Sequence, residues 1–399
     1  MSDVITFGAV GDVSLAGQAG ADARAHGVDW LFERMRPVLN RADVLFGNME
    51  SVTIPPDFPR EEIDPSGLIS PLPGEEAAAA LRRAGFDVMN MAANHVLDAG
   101  SMGLDHTKAC LESAGIVVSG VGYSQAEARQ LRVIERNGLR LGFLCYGEDS
   151  NWTMGHTDPG FALYELDAVV EDVRQQRRSV DALIVSIHAD LEFMPTPSVP
   201  RLRNSRAIAE AGATMILQHH PHVPQGAEMV NGCLICYSLG NFVFDAHTDD
   251  YMRNNGPHTA HSFVLLAELG RGNVRSFERV PFEIANPPEQ RPTPLEGAKR
   301  EEMLAYLADL DRKVQDEEFV TRIWRDTARK CLLSLLRELG TRDLDNVIQE
   351  MVGRYCILAE NRGWMQEILE MGREHWEAQK QTTDPYHRPE WPYRRSGRV

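Results

Sequence analysis

Short apolar runs, rich in β-branched and aromatic residues, recur along the first two thirds of the chain. They are VITFGAV, ADVLFG, FDVMNMA, IVVSGVG, LRLGFLC, DALIVSI, ATMILQ, CLICYS and FVLLAEL. Runs of this length and makeup predict strands. They are nearly continuous rather than alternating with polar residues, which predicts sheets covered on both faces. Between them stand helical patterns such as EEAAAALRRAG, MGLDHTKACLESAG and LDAVVEDVRQQRRS, several closing on a glycine suited to a helix C-cap. The expected fold class is α/β, with helices and strands in layers. The stretch NPPEQRPTP at 286–294 cannot continue a helix or an interior strand and marks the expected boundary. One domain is expected over 1–285 and a helical extension over 295–383. A Pro/Arg/aromatic tail, DPYHRPEWPYRRSGRV, fills 384–399. The spacing of Ile323, Leu332, Leu335, Leu336 and Leu339 is that of an amphipathic helix, read first as plain core. The helices and tail are candidates for a homo-oligomer contact or a lid.

The chemistry stands just past the apolar runs. VITFGAV leads to Asp12, ADVLFG to Asn48 and Glu50, and FDVMNMAA to Asn94 and His95. DALIVSI leads to His188 with Glu192 four residues on, ATMILQ to His219, His220 and His222, and CLICYSLG to Asn241. In layered α/β folds, residues beyond the carboxyl ends of strands line one crevice. Carboxylate, imidazole and amide oxygen together form the ligand set of a hydrolytic transition-metal centre, with Mn, Fe or Zn rather than Ca. Taken singly, Asp12 reads as an ordinary turn or cap residue, and Asn94 with His95 is a weak signal. The HHPH tetrad is stronger, because three imidazoles after a buried strand are costly unless something binds them. Among the other histidines, His258 and His261 have the nearest comparable context.

Charge narrows the ligand class. The 399 residues carry 41 Lys+Arg against 58 Asp+Glu, a net −17. That excludes a general nucleic-acid binder and argues against docking on an anionic membrane. Residues 296–399 hold 18 basic and 20 acidic groups, whereas the rest hold 23 and 38, so nearly all the excess lies before 296. Such a surface repels a long polyanion and favours a small molecule drawn to bound cations. The start, MSDVITF, has no basic n-region, and no run of about 18 apolar residues could span a bilayer. The six cysteines are scattered. The Cys233/Cys236 pair lacks a second pair to complete a zinc site and reads as buried structure. A cytoplasmic location is the expectation.

In order and spacing, GDVSLAG, FGNMES, MAANHVLDAG, IHADLEF, HHPHVPQG and YSLGNFVFD resemble the CapA family. These are the poly-γ-glutamate capsule biosynthesis proteins (PGA_cap domain), whose fold is that of the calcineurin-like metallophosphoesterases. The resemblance covers about residues 4–283. It implies a layered α-β-β-α sandwich with a C-terminal helical extension, and two divalent metal ions. It further implies Asp12 and His222 on the first metal, Glu50 bridging, and Asn94, His188 and His220 on the second. His95 would be the proton donor, and Glu192 keeps the acid of the family's His-Trp-Gly-x-Glu motif. Ser14 stands where phosphoesterases outside this family usually have His, and Ala189-Asp190 replace the family's Trp-Gly.

The reading this favours is a metal-dependent hydrolase attacking a phosphoester or amide bond of a small acidic or peptide-like substrate. Asn48, Asn241 and His219 would orient ligands or meet substrate. Asp190, with Arg201, Arg203 and Arg206, is a candidate for gripping an anionic one, although an arginine cluster on a helix face is more often simply solvated. A poly-γ-glutamate synthesis or trimming factor and a non-catalytic binding protein are the alternatives.

Overall fold

A computed structural model describes residues 4–59, 67–148, 160–256, 258–339 and 359–382. The tail over 384–399 lies outside these. The chain begins with β1 (Ile5–Val13), β2 (Val44–Met49), β3 (Phe86–Asn90) and β4 (Val117–Ser119), with helix between each pair. There follow β5 (Val121–Gly122), β6 (Arg132–Arg136), β7 (Leu139–Gly147), β8 (Gly160–Phe161), β9 (Ala182–His188) and β10 (Met215–His219). The series closes with β11 (Ala227–Val230), β12 (Cys233–Cys236), β13 (Asn241–Val243), β14 (His261–Gly270), β15 (Asn273–Ile284) and β16 (Pro292–Pro294).

Two mixed sheets face one another. The first runs β16-β15-β14-β1-β2-β3-β4, with β13 added parallel to the end of β1. The second runs β11-β12-β10-β9-β7-β6. Phe7 and Phe46 of the first meet Phe143 of the second, with ring centroids 6.2 and 6.0 Å apart. All three are fully buried, and each such side chain contributes about 1.5–3 kcal/mol. Helices Gly74–Ala84 and Gly100–Ser113 cover the outside of the first sheet; Leu166–Gln176 and Val199–Ala211 cover the second. The expected α-β-β-α sandwich is therefore what the chain adopts. The nine apolar runs fall on strands, whereas β15 escaped the pattern. Its sequence, NVRSFERVPFEI, is exposed over consecutive residues 275–278 and carries charges that interrupt any continuous apolar run.

The chain divides into two compact units, the larger running to Thr321 and the smaller starting at Arg322. The larger takes in helix Gly297–Gln315, which the reading of the sequence assigned to the extension. That helix buries Leu307, Leu310 and Val314, and its Asp311 accepts the Ala227 N–H at 2.7 Å and pairs with Arg279. The proline stretch is an edge strand instead of a break, because β16 pairs only with β15. In helix Glu317–Leu339 the buried stripe is Val320, Trp324, Ala328 and Leu335. Leu336, expected in the core, is 55% exposed because it lies one position off that stripe. In the smaller unit, Arg325 pairs with Glu367 at 2.8 Å and Glu374 at 2.7 Å, and the Trp364 indole N–H donates to Asn361. Cys233 and Cys236 are buried on β12, where burial pushes the Cys236 thiol up to about 12. No helix among the described residues is long and apolar enough to cross a membrane.

One close approach sets the position of the first candidate ligand. The Asp12 N–H donates to the Gly240 carbonyl at 2.9 Å, and a Cβ on Gly11 would stand 1.7 Å from that oxygen. A glycine is required there for β13 to lie against β1. Gly11→Ala is expected to lower unfolding free energy by about 2–3 kcal/mol in urea denaturation. An unchanged midpoint would show that this contact does not pin the strand.

Candidate metal centre

Register carries the site. Across the first sheet Asp12 lies beside both Asn241 and Asn48, and Asn48 beside Asn90. Across the second, His188 lies beside Gly147 and His219. Each sheet thus ends in a row of polar residues at its carboxyl edge, and the facing sheets bring the rows together. Asn90 donates to Asn48 Oδ1 at 2.7 Å, and Asn48 donates to Asp12 Oδ1 at 2.9 Å. Asn48 Nδ2 also lies 3.2 Å from His188 Nδ1. This amide relay holds a carboxylate and an imidazole in a fixed relation.

The donors converge on two groups. Asp12, Glu50 and His188 each offer an atom within 4.8 Å of the others, and so do Glu50, His220 and His222. Glu50 belongs to both, as a bridging ligand would. Its carboxylate is buried, and neither oxygen receives a hydrogen bond from the described residues. His188 Nε2 and Asn94 Oδ1 lie 2.8 Å apart, so both can point at one ion. Burying an ionised carboxylate without donors costs several kcal/mol, and a divalent cation supplies the missing charge. The two donor groups could hold a metal ion.

The connecting loops are strained where they turn into the crevice. Asp190, Phe193, His220 and His222 have φ values of 89°, 59°, 94° and 57°. For non-glycine residues each costs about 1–3 kcal/mol, and such outliers cluster at functional sites. The two loops brace each other: Ala189 N–H donates to the His219 carbonyl, and Phe193 N–H to that of Pro221.

Electrostatics follow from burial and crowding. Burial, reinforced by Asp12, holds the Glu50 carboxyl well above the usual range. Burial and the neighbouring His220 hold His188 well below its usual value, in the neutral form that can ligate. Burial alone would depress His222 as well, but Glu50, Glu192 and Asp12 outweigh it and raise the imidazole to about 10. Burial opposes ionisation of Glu192, yet the His222 hydrogen bond and the His220 charge bring it down to about 2.

Asp12, Glu50, Asn94, His188, His219, His220, His222, Asn48 and Asn241 are therefore brought together. His219 Nδ1 is 3.4 Å from Asp12, and Asn241 Oδ1 is 2.9 Å from His222 Nδ1. Glu192 stands nearby, 3.7 Å from His222 Nε2, and accepts the Tyr251 hydroxyl. His95 is partly exposed, its Nδ1 held by Asp98 at 2.7 Å. Asp190 does not present its carboxylate as a free grip. It accepts the Ser198 N–H at 2.8 Å and closes the loop onto the helix. Arg203 and Arg206 pair with Glu317, and Arg206 also with Glu228, while Arg201 is buried on Glu148 and Tyr164. The arginines weighed as an anion grip are instead engaged by these carboxylates. His258 stacks on Tyr306, outside both donor groups. Asn90, Asp98 and Tyr251 were missed. Asn90 ends a predicted strand and Asp98 lies inside the NHVLDAG motif, so both carried a signal; Tyr251 carried none.

The model of the bacterial capsule synthesis protein family PGA_cap matches residues 6–246, and the chain belongs to this family. It is 26% identical over 286 residues to the PGA biosynthesis protein CapA of Bacillus subtilis, covering 71% of this chain and 72% of that protein. It is 27% identical over 290 residues to the capsule biosynthesis protein CapA of Bacillus anthracis, covering 69% and 70%. Among solved structures, a 5'-nucleotidase precursor from Thermus thermophilus aligns at 14% identity with a TM-score of 0.43, over 78% of this chain and 60% of that one.

Glu50 and His222 both hold protons more tightly in the metal-free fold than in an open chain. Their contribution to stability is present below the ordinary values of 4.5 and 6.5 and is lost as pH rises through the raised ones. A bound cation displaces those protons, so its stabilising effect grows as pH rises. The melting-temperature difference between Mn-loaded and chelated protein should widen from about pH 6 to about pH 8. A difference independent of pH, or one unaltered by Glu50→Gln, would contradict the assignment.

Proposed function

We propose that this chain is a metal-dependent hydrolase, cleaving a phosphoester or amide bond of a small acidic or peptide-like molecule. The single observation that carries the reading is the Glu50 carboxylate, buried without a donor where two ligand groups meet. Asp12, Glu50, Asn94, His188, His220 and His222 would hold two divalent transition-metal ions. When bound, such ions lower the pKa of a water and polarise the scissile group. The protein residues then divide the remaining work. Asn48 fixes the Asp12 carboxylate and Asn241 fixes the His222 ring. Asp98 holds His95 by Nδ1, which leaves Nε2 to deliver a proton to the leaving group. Glu192 anchors His222 from the opposite side.

A second reading, that the substrate is a γ-glutamyl polymer, is favoured by the two Bacillus relatives, whose names assign them to PGA and capsule biosynthesis. The excess of 15 acidic groups before residue 296 works against a long polyanion and supports the small-molecule reading.

Elemental analysis should find close to two transition-metal ions per chain in wild type and a loss of both metal and turnover in His220→Ala. Fewer than one ion per chain, with no turnover across phosphoester, amide and γ-glutamyl panels, rejects the hydrolase. His95→Asn separates proton delivery from metal binding: kcat should fall about a hundredfold while metal content stays constant. Release of glutamate from poly-γ-glutamate, with small amides left intact, would transfer the assignment to the polymer.

A further inference from the structure

A third group of metal-ligating side chains lies outside the crevice, on the helical layer that covers the first sheet. Glu75 comes from the first turn of helix Gly74–Ala84, and His106 and Cys110 stand one turn apart on helix Gly100–Ser113. A carboxylate oxygen, a ring nitrogen and the thiol sulfur all lie within 4.8 Å of one another. His106 Nε2 is 3.7 Å from Cys110 Sγ. Tetrahedral zinc, with bonds of about 2.0–2.1 Å to nitrogen and about 2.3 Å to sulfur, separates those two ligands by roughly 3.6 Å. The imidazole and thiol are already at coordination distance from a common point.

A second observation concerns Gly74. Its backbone is not left-handed, so local geometry does not demand glycine. A Cβ there would nevertheless meet His106 Nε2 at 2.6 Å, Cys110 Sγ at 2.7 Å and Thr53 Oγ1 at 2.9 Å. The side chains converge over a position kept clear only by the missing Cβ. Thr107, between the two helical ligands, takes the Thr53 N–H at 2.8 Å and fixes the loop beside them. His106 and Glu75 also line a cavity of about 860 Å3, together with Arg24, Ile54, Phe58 and Leu72. The two outer helices therefore present nitrogen and oxygen at the wall of an open space, with the buried Cys110 sulfur behind His106.

We propose that Glu75, His106 and Cys110 form a separate binding site for a zinc-type divalent ion, with one coordination position open to the cavity. Thiolate with imidazole selects zinc-type ions over calcium or magnesium, and three protein ligands leave a fourth position for water or an incoming ligand. Binding displaces the thiol proton to solvent. The ion clips the start of one helix to the middle of its neighbour.

Cobalt distinguishes this site from the crevice, whose ligands contain no sulfur. Full-length protein stripped with chelator and titrated with Co(II) should develop a thiolate-to-cobalt charge-transfer band in the near ultraviolet. Cys110→Ser should abolish the band, and Glu75→Gln, a change at an exposed position, should weaken cobalt affinity at least about tenfold. Circular dichroism of both variants should superpose on wild type. His220→Ala should keep the band while losing the ions of the crevice, so the two sites fail separately. Absence of the band in wild type, or a band undiminished in Cys110→Ser, overturns the proposal.

Discussion

A carboxylate without a hydrogen-bond donor, closed off from water, is the constraint around which this protein is built. Glu50 sits between Asp12 and a cluster of imidazoles, and no side chain among the described residues satisfies its oxygens by hydrogen bonding. Burial, reinforced by Asp12, holds its carboxyl well above the usual carboxylate range. A bound cation would reverse that preference, and the surrounding features suit such a site. The amide chain Asn90–Asn48–Asp12 aligns a second carboxylate. Strained turns at His220 and His222 aim their rings inward against the preference of the backbone. Strain and desolvation of this kind are tolerated because two packed sheets over-determine the positions.

The shell around the centre divides into parts with different duties. Phe193 and Phe244 pack on the His222 ring, with centroids 6.0 and 4.9 Å away, and limit its rotation. The His95–Asp98 pair is partly exposed to solvent. Asp190, with Ala189, stands where the resemblance sets Trp-Gly, and Arg201 follows on helix Val199–Ala211. Here the pair closes a loop: Asp190 holds the Ser198 N–H, and Arg201 is buried against Glu148.

Most of the fold was legible because burial on both faces leaves an unbroken apolar signature, as in DALIVSI and ATMILQ. β15 was not, since residues 275–278 are exposed in succession and its charges interrupt the run. The helix Gly297–Gln315 was assigned to the wrong side of a boundary because a proline stretch reads the same whether it ends a domain or forms an edge strand. Its attachment through Asp311 to Arg279 and Ala227 depends on residues far away in sequence. The arginines after His188 show the same limit. Arg203 and Arg206 look available in one dimension and are engaged by Glu317 in three.

The sequence by itself determined which residue types stand at the ends of buried strands, and hence the chemistry of the centre, because strand ends and ligand types are both local properties. It also determined that the acidity is concentrated before residue 296. Only the tertiary structure decided the rest. The register between strands put Asn48 on Asp12, the facing of two sheets put His222 against Glu50, and the packing of two helices brought Glu75 to His106 and Cys110. These are relations between segments tens to hundreds of residues apart, fixed by closure of a common core.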